Sequence, residues 1–140
     1  MNAEDRIERA RALYEQAVFS GDVSVLTDAE RGLDAVEADA ALARGRILHA
    51  RFLNERARAG SSPVEDPAEL PLFERAAELY RALGDARGEA EALMVGLAYI
   101  AAAQDRRADA LATLDEAYAI AQAHGAHAIV RQIEQARTDL

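Results

Sequence analysis

The chain of 140 residues contains no cysteine, no lysine and no tryptophan, and it has only three prolines. Without cysteine it can form no disulfide framework and can carry out no thiol chemistry. Its apolar runs are far shorter than the ~20 residues of a membrane-spanning helix, and its first residues lack the apolar segment of a signal peptide. We therefore expect a cytoplasmic protein that does not enter a membrane.

Positive charge is also scarce, because sixteen arginines face 25 acidic residues and leave a net charge of −9. The average field of such a chain repels nucleic acid, so we expect no nucleic-acid partner. Alanine makes up about a quarter of the residues, and no segment alternates with a period of two. Since alanine is the best helix former, the composition predicts an all-α domain.

Short breaking segments, such as Ser20-Gly21-Asp22, divide the chain into about seven predicted helices. Gly84 and Gly125 are each expected to end a helix in the left-handed conformation. Asp66 and Pro67 are expected to begin one, as the capping residue and the first helical residue. The predicted helices span residues 4–19, 23–36, 39–58, 67–83, 87–103, 107–124 and 126–140.

Two helix types alternate along the chain. Residues 73–84 match residues 114–125, 41 positions later, in their apolar, acidic and alanine positions, and both segments end in glycine. Residues 41–45 match residues 92–96, since both begin with Ala-Leu and end in glycine. Small residues that recur at matched places indicate points where helices approach closely.

This alternation resembles the tetratricopeptide repeat, in the roughly forty-residue variant common in bacterial proteins. Gly96 and Tyr99 match the pattern of the first helix of that repeat, and Ala110, Leu114 and Ala117 match the second. The resemblance implies a right-handed stack of antiparallel helix hairpins, an α-solenoid. In that arrangement residues 1–37 form divergent N-terminal helices, residues 38–125 two hairpins and residues 126–140 a C-terminal capping helix.

In the tetratricopeptide family the first helices line a concave binding face. The resemblance therefore implies a protein- or peptide-binding adaptor with no catalytic activity, no cofactor and no metal site. The sequence contains no Gly-rich phosphate loop and no nucleophile–base pairing, which agrees with that expectation. The implied partner-binding groove consists of Asp39, Leu42, Arg46, His49, Ala90, Leu93, Leu97, Ile100 and Ala101.

Two other functions stay open at this point. One is a small-molecule-binding or enzymatic helical bundle, which a closed apolar cavity would favour. The other is a self-associating module that dimerises through the C-terminal helix, because Ile129, Val130 and Ile133 have no following helix to cover them. His124 and His127 are interpreted as helix-end residues rather than metal ligands, since no third ligand is evident.

The predicted third helix is rich in arginine. Two interpretations of this charge stay open: a site for an anionic ligand or an acidic peptide, and internal pairing with Glu30, Asp34 and Glu37. The arginines are Arg44, Arg46, Arg51, Arg56 and Arg58.

Overall fold

The computed structural model describes residues 1–58, 60 and 62–140, and within these residues it contains six helices and no strand. The prediction of an all-α fold is confirmed. None of these helices is both apolar and long enough to cross a membrane. The helices are α1 (Ala3–Ser20), α2 (Val25–Arg56), α3 (Glu69–Leu83), α4 (Ala86–Ala92, continued by Leu93–Ala98 and Tyr99–Ala103), α5 (Arg107–Ala123) and α6 (His127–Asp139).

The number of helices is lower than predicted because one helix of 32 residues, α2, takes the place of the two helices predicted over 23–36 and 39–58. No glycine or proline lies where the break was predicted. The predicted break was wrong, because the chain stays helical through Glu37, Ala38 and Asp39. The Asp39 carboxylate accepts a hydrogen bond from the Tyr80 hydroxyl at 2.6 Å.

Two predicted helix ends are confirmed and one predicted start is wrong. Gly84 and Gly125 adopt φ of 73° and 68°, the left-handed conformation that closes α3 and follows α5. The Asp66 carboxylate accepts the amide hydrogen of Ala68 at 2.8 Å, and α3 begins only at Glu69. Asp66 and Pro67 thus form a turn before the helix, and the helix itself starts later than predicted.

The helices are held together around Phe73, whose side chain is completely buried. A Cβ atom added to Gly45 of α2 would lie 2.9 Å from Phe73 Cζ, and one added to Gly96 of α4 would lie 2.2 Å from Phe73 Cγ. The ring therefore fills the space that a side chain would need at both glycines. The prediction that Gly96 lies at a helix contact is confirmed.

Neighbouring helices in the sequence pack against one another. Helix α3 contacts both α2 and α4, and the segment Leu93–Ala98 of α4 also contacts α2. This segment is π-helical, a wider turn that adds a residue to the helix at its contact with Phe73. Helix α6 packs on α5 and reaches α4. The main buried cluster extends from Ala38 to Ala136, so it excludes α1 and the first half of α2.

Candidate docking surface

Most of the predicted groove lies inside the fold. Among the nine positions only Asp39 and Arg46 are exposed, and Leu97 is half-buried. The others are buried because α2 and α4 turn these faces towards each other and towards α3. The buried positions are Leu42, His49, Ala90, Leu93, Ile100 and Ala101.

The two exposed positions already have partners within the chain. The Arg46 guanidinium forms an ion pair with Glu91 of α4. Asp39 accepts the hydrogen bond from Tyr80, and burial together with this carboxylate raises the pKa of the Tyr80 hydroxyl. These polar side chains therefore connect α2 to α3 and α4 within the chain.

His49 is buried and paired with a carboxylate that the sequence did not reveal. Its Nδ1 lies 2.7 Å from Oε1 of Glu69, which is only 1% exposed. The two residues are 20 positions apart, and α2 and α3 bring them together. The His49 ring also stacks on Phe52 and on Tyr99, each with a centroid distance of 6.3 Å. His49 therefore makes its contacts within the protein interior.

The carboxylate of Glu69 sits in a setting that disfavours its charge. Burial raises its pKa above the ordinary 4.5, the hydrogen bond from His49 lowers it by less, and the charges of Glu65 and Asp66 add to the increase. Its second oxygen, Oε2, is buried without a hydrogen-bond partner among the described residues. Nearby, Gln104 donates a hydrogen bond to Glu65 at 2.9 Å. This polar cluster joins the ends of α2, α3 and α4.

The predicted internal pairing of the arginines occurs, but with different acids. Arg46 pairs with Glu91 and Arg58 with Glu55, whereas Glu37 pairs with Arg75 of α3 at 3.0 Å. Within residues 1–58, 60 and 62–140, Arg44, Arg51 and Arg56 form no ion pair. Positive charge that is not neutralised inside the chain therefore remains on the surface of α2.

Two of these arginines stand beside an open apolar depression of about 610 Å³ between α2 and the start of α3. We call this depression the notch. Ile47 in its floor is 53% exposed, and Ala40 and Ala43 are exposed too. Small side chains of this kind let a second helix approach closely. The notch is lined by Ala40, Ala43, Arg44, Ile47, Leu48, Arg51, Asp66, Ala68 and Leu72.

The notch lies on the same side of α2 as the surface that α1 covers, further towards the C-terminal end of α2. Ala29 is 8% exposed, and a Cβ atom on Gly32 would lie 3.9 Å from the Arg6 carbonyl oxygen of α1. Val36 is half-buried, whereas Ala40 and the residues after it on this side are exposed. Coverage by α1 therefore ends between Val36 and Ala40. The stripe, at spacings of three and four residues, consists of Ala29, Gly32, Val36, Ala40, Ala43 and Ile47.

Helix α1 itself carries an apolar row beside the face that packs on α2, and this row is open to solvent. Its contact face has Ala17 buried, with Ala10 and Leu13 half-buried. A second row lies about a quarter of a turn further round the helix, at a spacing of seven and four residues. We call this row the α1 stripe; its apolar members are Ile7, Tyr14 and Val18, which are 50%, 61% and 57% exposed, and the exposed Arg11 stands in the same row between Ile7 and Tyr14.

The C-terminal helix differs from α1, because its apolar side chains are used within the chain. Ile129, Val130 and Ile133 are at most 8% exposed and belong to the main buried cluster. The side chains that suggested a dimer through this helix are therefore already covered. His124 and His127 are exposed at its start, and no group of three or more histidine and acidic residues in the described ranges could hold a metal ion.

The sequence reasoning missed the notch because a periodic stripe does not show where its covering helix ends. The feature that marks the notch is the difference in helix length, because α2 has 32 residues and α1 only 18.

No family model matches the chain, and a search of curated proteins and of solved structures finds no significant match.

Proposed function

We propose that the chain is a protein-binding adaptor without catalytic activity of its own, and that the notch receives a helical segment of a partner. One observation carries the proposal: α1 covers one side of α2 up to Val36, and the same side is uncovered from Ala40 to Arg51. At 1.5 Å per residue this stretch is about 17 Å long, which is roughly three turns of a helix. A helix in line with α1 would bury Ile47, Leu48 and Leu72.

The mode of binding is that of an amphipathic helix in an apolar groove. Arg44 and Arg51 lie beside the apolar floor and provide positive charge for acidic residues of the ligand. This position differs from the groove that the resemblance implied, of which only Asp39, Arg46 and part of Leu97 reach the surface. We therefore propose the same adaptor function, with the notch as its binding site in place of the groove that the resemblance implied.

As part of the same proposal, α2–α3 and α4–α5 are two stacked hairpins of a tetratricopeptide-like α-solenoid. The contacts of α3 with both α2 and α4 support it, and so does Phe73, which packs between Gly45 and Gly96. In this scheme α6 caps the stack and α1 covers the start of α2. The cytoplasm, which the sequence suggests, is the proposed location.

Site-specific cross-linking tests the adaptor function. A photoreactive residue is placed at Ala43 in the notch or, as a control, at Ala119, an exposed alanine of α5. Both proteins are irradiated in extract of the native host, and the products are identified by mass spectrometry. We expect a discrete adduct with another protein from position 43 only, lost on adding the Ile47→Glu change. Equal labelling from both positions would contradict the proposal.

A further inference from the structure

A second helix-sized apolar surface, the α1 stripe, lies on the same chain as the notch. Its residues Ile7, Tyr14 and Val18 are each at least half exposed, so α1 has one face buried on α2 and another open to solvent. The open face runs over the twelve residues from Ile7 to Val18, about 17 Å, which equals the length of the notch over the twelve residues from Ala40 to Arg51. The two surfaces therefore agree in length.

The charges beside the two surfaces are also opposite in balance: Glu8 and Glu15 outweigh Arg11 on this side of α1, and Arg44 and Arg51 outweigh Asp66 at the notch. Glu8 and Glu15 are exposed on α1 and stand seven residues apart, and Arg44 and Arg51 beside the notch stand seven residues apart as well. Two turns of helix separate the members of each pair, or about 10.5 Å. Glu8 makes no ion pair among the described residues, and Glu15 makes only an exposed one with Arg11 at 3.6 Å. Such an exposed pair exchanges partners at little cost.

We infer that the notch binds α1 of a second copy of this chain, with the α1 stripe on the apolar floor and Glu8 and Glu15 against Arg44 and Arg51. In the dimer that we infer, each copy contributes one stripe and one notch, and the contact is formed twice around a two-fold axis. This inference rests on one part of the proposed function, that the notch is a docking surface for a helix, and does not need the notch to bind another protein. It goes further by naming the helix.

The apolar contact supplies the stability of this dimer, and the charges supply its register. Tyr14 fits the expected pattern, since an exposed tyrosine contributes a large apolar ring to an interface and keeps its hydroxyl at the wet edge. The dimer covers surface that is exposed in the monomer, including Ile47 of the notch and the apolar side chains of the α1 stripe. Self-association through α1 thus replaces the sequence-based expectation of a dimer through α6.

Sedimentation analysis of charge-reversed variants of the full chain tests the inference. One variant carries Arg44→Glu and Arg51→Glu, and a second carries Glu8→Arg and Glu15→Arg. The control reverses two exposed arginines elsewhere, Arg87→Glu and Arg131→Glu, which changes the net charge as much as the notch variant does. All altered side chains lie on the surface, and circular dichroism checks that each variant remains helical.

We expect the wild type and the control to dimerise with a dissociation constant in the micromolar range. Each interface variant alone dimerises at least about tenfold more weakly, because like charges then face each other. An equimolar mixture of the two interface variants restores the dimer as a heterodimer, since every pair of facing charges is opposite again. This rescue also excludes misfolding as the cause of the loss.

Three results overturn the inference: a wild type that stays monomeric at high concentration, a control as defective as the notch variant, or a mixture that does not recover. The adaptor function fails separately. If position 43 cross-links another protein and the chain is monomeric, only the inference is lost. If position 43 cross-links only a second copy, the adaptor function is lost and the inference stands.

Discussion

Residues 1–37 and residues 38–140 are equally helical, but they bury their apolar side chains very differently. Before Ala38 the only buried apolar side chains are the alanines Ala17 and Ala29. After it, Phe73, Leu114, Ile129 and Ile133 are all at most 1% exposed. Among the residues that the structure describes, seven of the eleven exposed large apolar side chains lie in the first region: Met1, Ile7, Tyr14, Val18, Phe19, Val23 and Leu33.

The difference shows that amphipathic spacing alone does not make a core. In the larger region, bulky side chains meet glycines and alanines of the next helix, as Phe73 meets Gly45 and Gly96. In the first region α1 packs mainly on one helix, α2, so its remaining apolar surface is left open. We therefore interpret the buried cluster within residues 38–140 as the stable scaffold. The α1 stripe in the first region and the notch at the edge of the second region are interpreted as docking surfaces.

The largest expected contrast is between two phenylalanines. Phe73→Ala removes a completely buried ring and leaves a cavity, so it lowers the free energy of unfolding by about 3–5 kcal/mol. Phe19→Ala removes a ring that is 86% exposed and changes that free energy by no more than about 0.5 kcal/mol. Urea unfolding of the two variants measures both values. Similar losses at the two sites would remove the distinction between the regions.

Two helical glycines give the next contrast. In Gly96→Ala the new methyl group meets Phe73 Cγ at 2.2 Å, and the crowding destabilises the fold by about 1–3 kcal/mol. In Gly32→Ala the nearest atom lies 3.9 Å away, so the better helix propensity of alanine stabilises the fold by up to about 1 kcal/mol. Thermal unfolding of both variants decides the matter, and a stabilised Gly96→Ala variant would refute the tight contact.

Some of the features behind these contrasts could be predicted from the sequence and others could not. The glycines could be placed at helix contacts because they recur at matched positions. The groove could not be predicted, since the spacing of Leu42 and His49 shows that they share a face but not whether that face meets solvent or α3. The pairing of His49 with Glu69 depends on tertiary packing, and the notch depends on where α1 ends. The sequence thus shows which residues share a helix face. Whether that face is covered or exposed depends on the lengths and contacts of the neighbouring helices.

Residues 38–140 also contain a buried carboxylate, Glu69, and its titration gives a pH-dependent prediction. The pKa of Glu69 is raised in the folded state, so its neutral form is favoured there and the stability it contributes is fully present below about pH 4.5. That stability is lost as the pH rises through the folded-state pKa. Glu69→Gln remains neutral and still accepts a hydrogen bond from His49. The variant should therefore gain stability relative to the wild type as the pH rises above 4.5.

Unfolding in urea at a series of pH values from 4 to 7 measures this difference. Glu74→Gln, a change at an exposed position of the same helix, serves as the control and should show no such trend. A Glu69→Gln difference that is constant with pH would show that the carboxylate is not destabilised by its burial.

The smallest expected effect is at the turn between α4 and α5, where Asp105 has a φ of 57°. This left-handed conformation strains a residue with a Cβ atom, and glycine adopts it freely. Asp105→Gly relieves the strain but enlarges the freedom of the unfolded chain, so we expect a gain of at most about 0.5 kcal/mol. The midpoint of thermal unfolding reports the change, and a clear loss of stability would mean that the aspartate side chain holds the turn.

Alanine-methyl NMR at increasing protein concentration tests most directly whether the notch docks a second copy of the chain. The account predicts that the methyl signals of Ala40 and Ala43 shift as the concentration rises, and that the shifts shrink in about 1 M salt, where the Debye length falls to about 3 Å. The signals of Ala112 and Ala119, equally exposed on α5, should not move. Unchanged signals at Ala40 and Ala43, or equal shifts at all four, would contradict it.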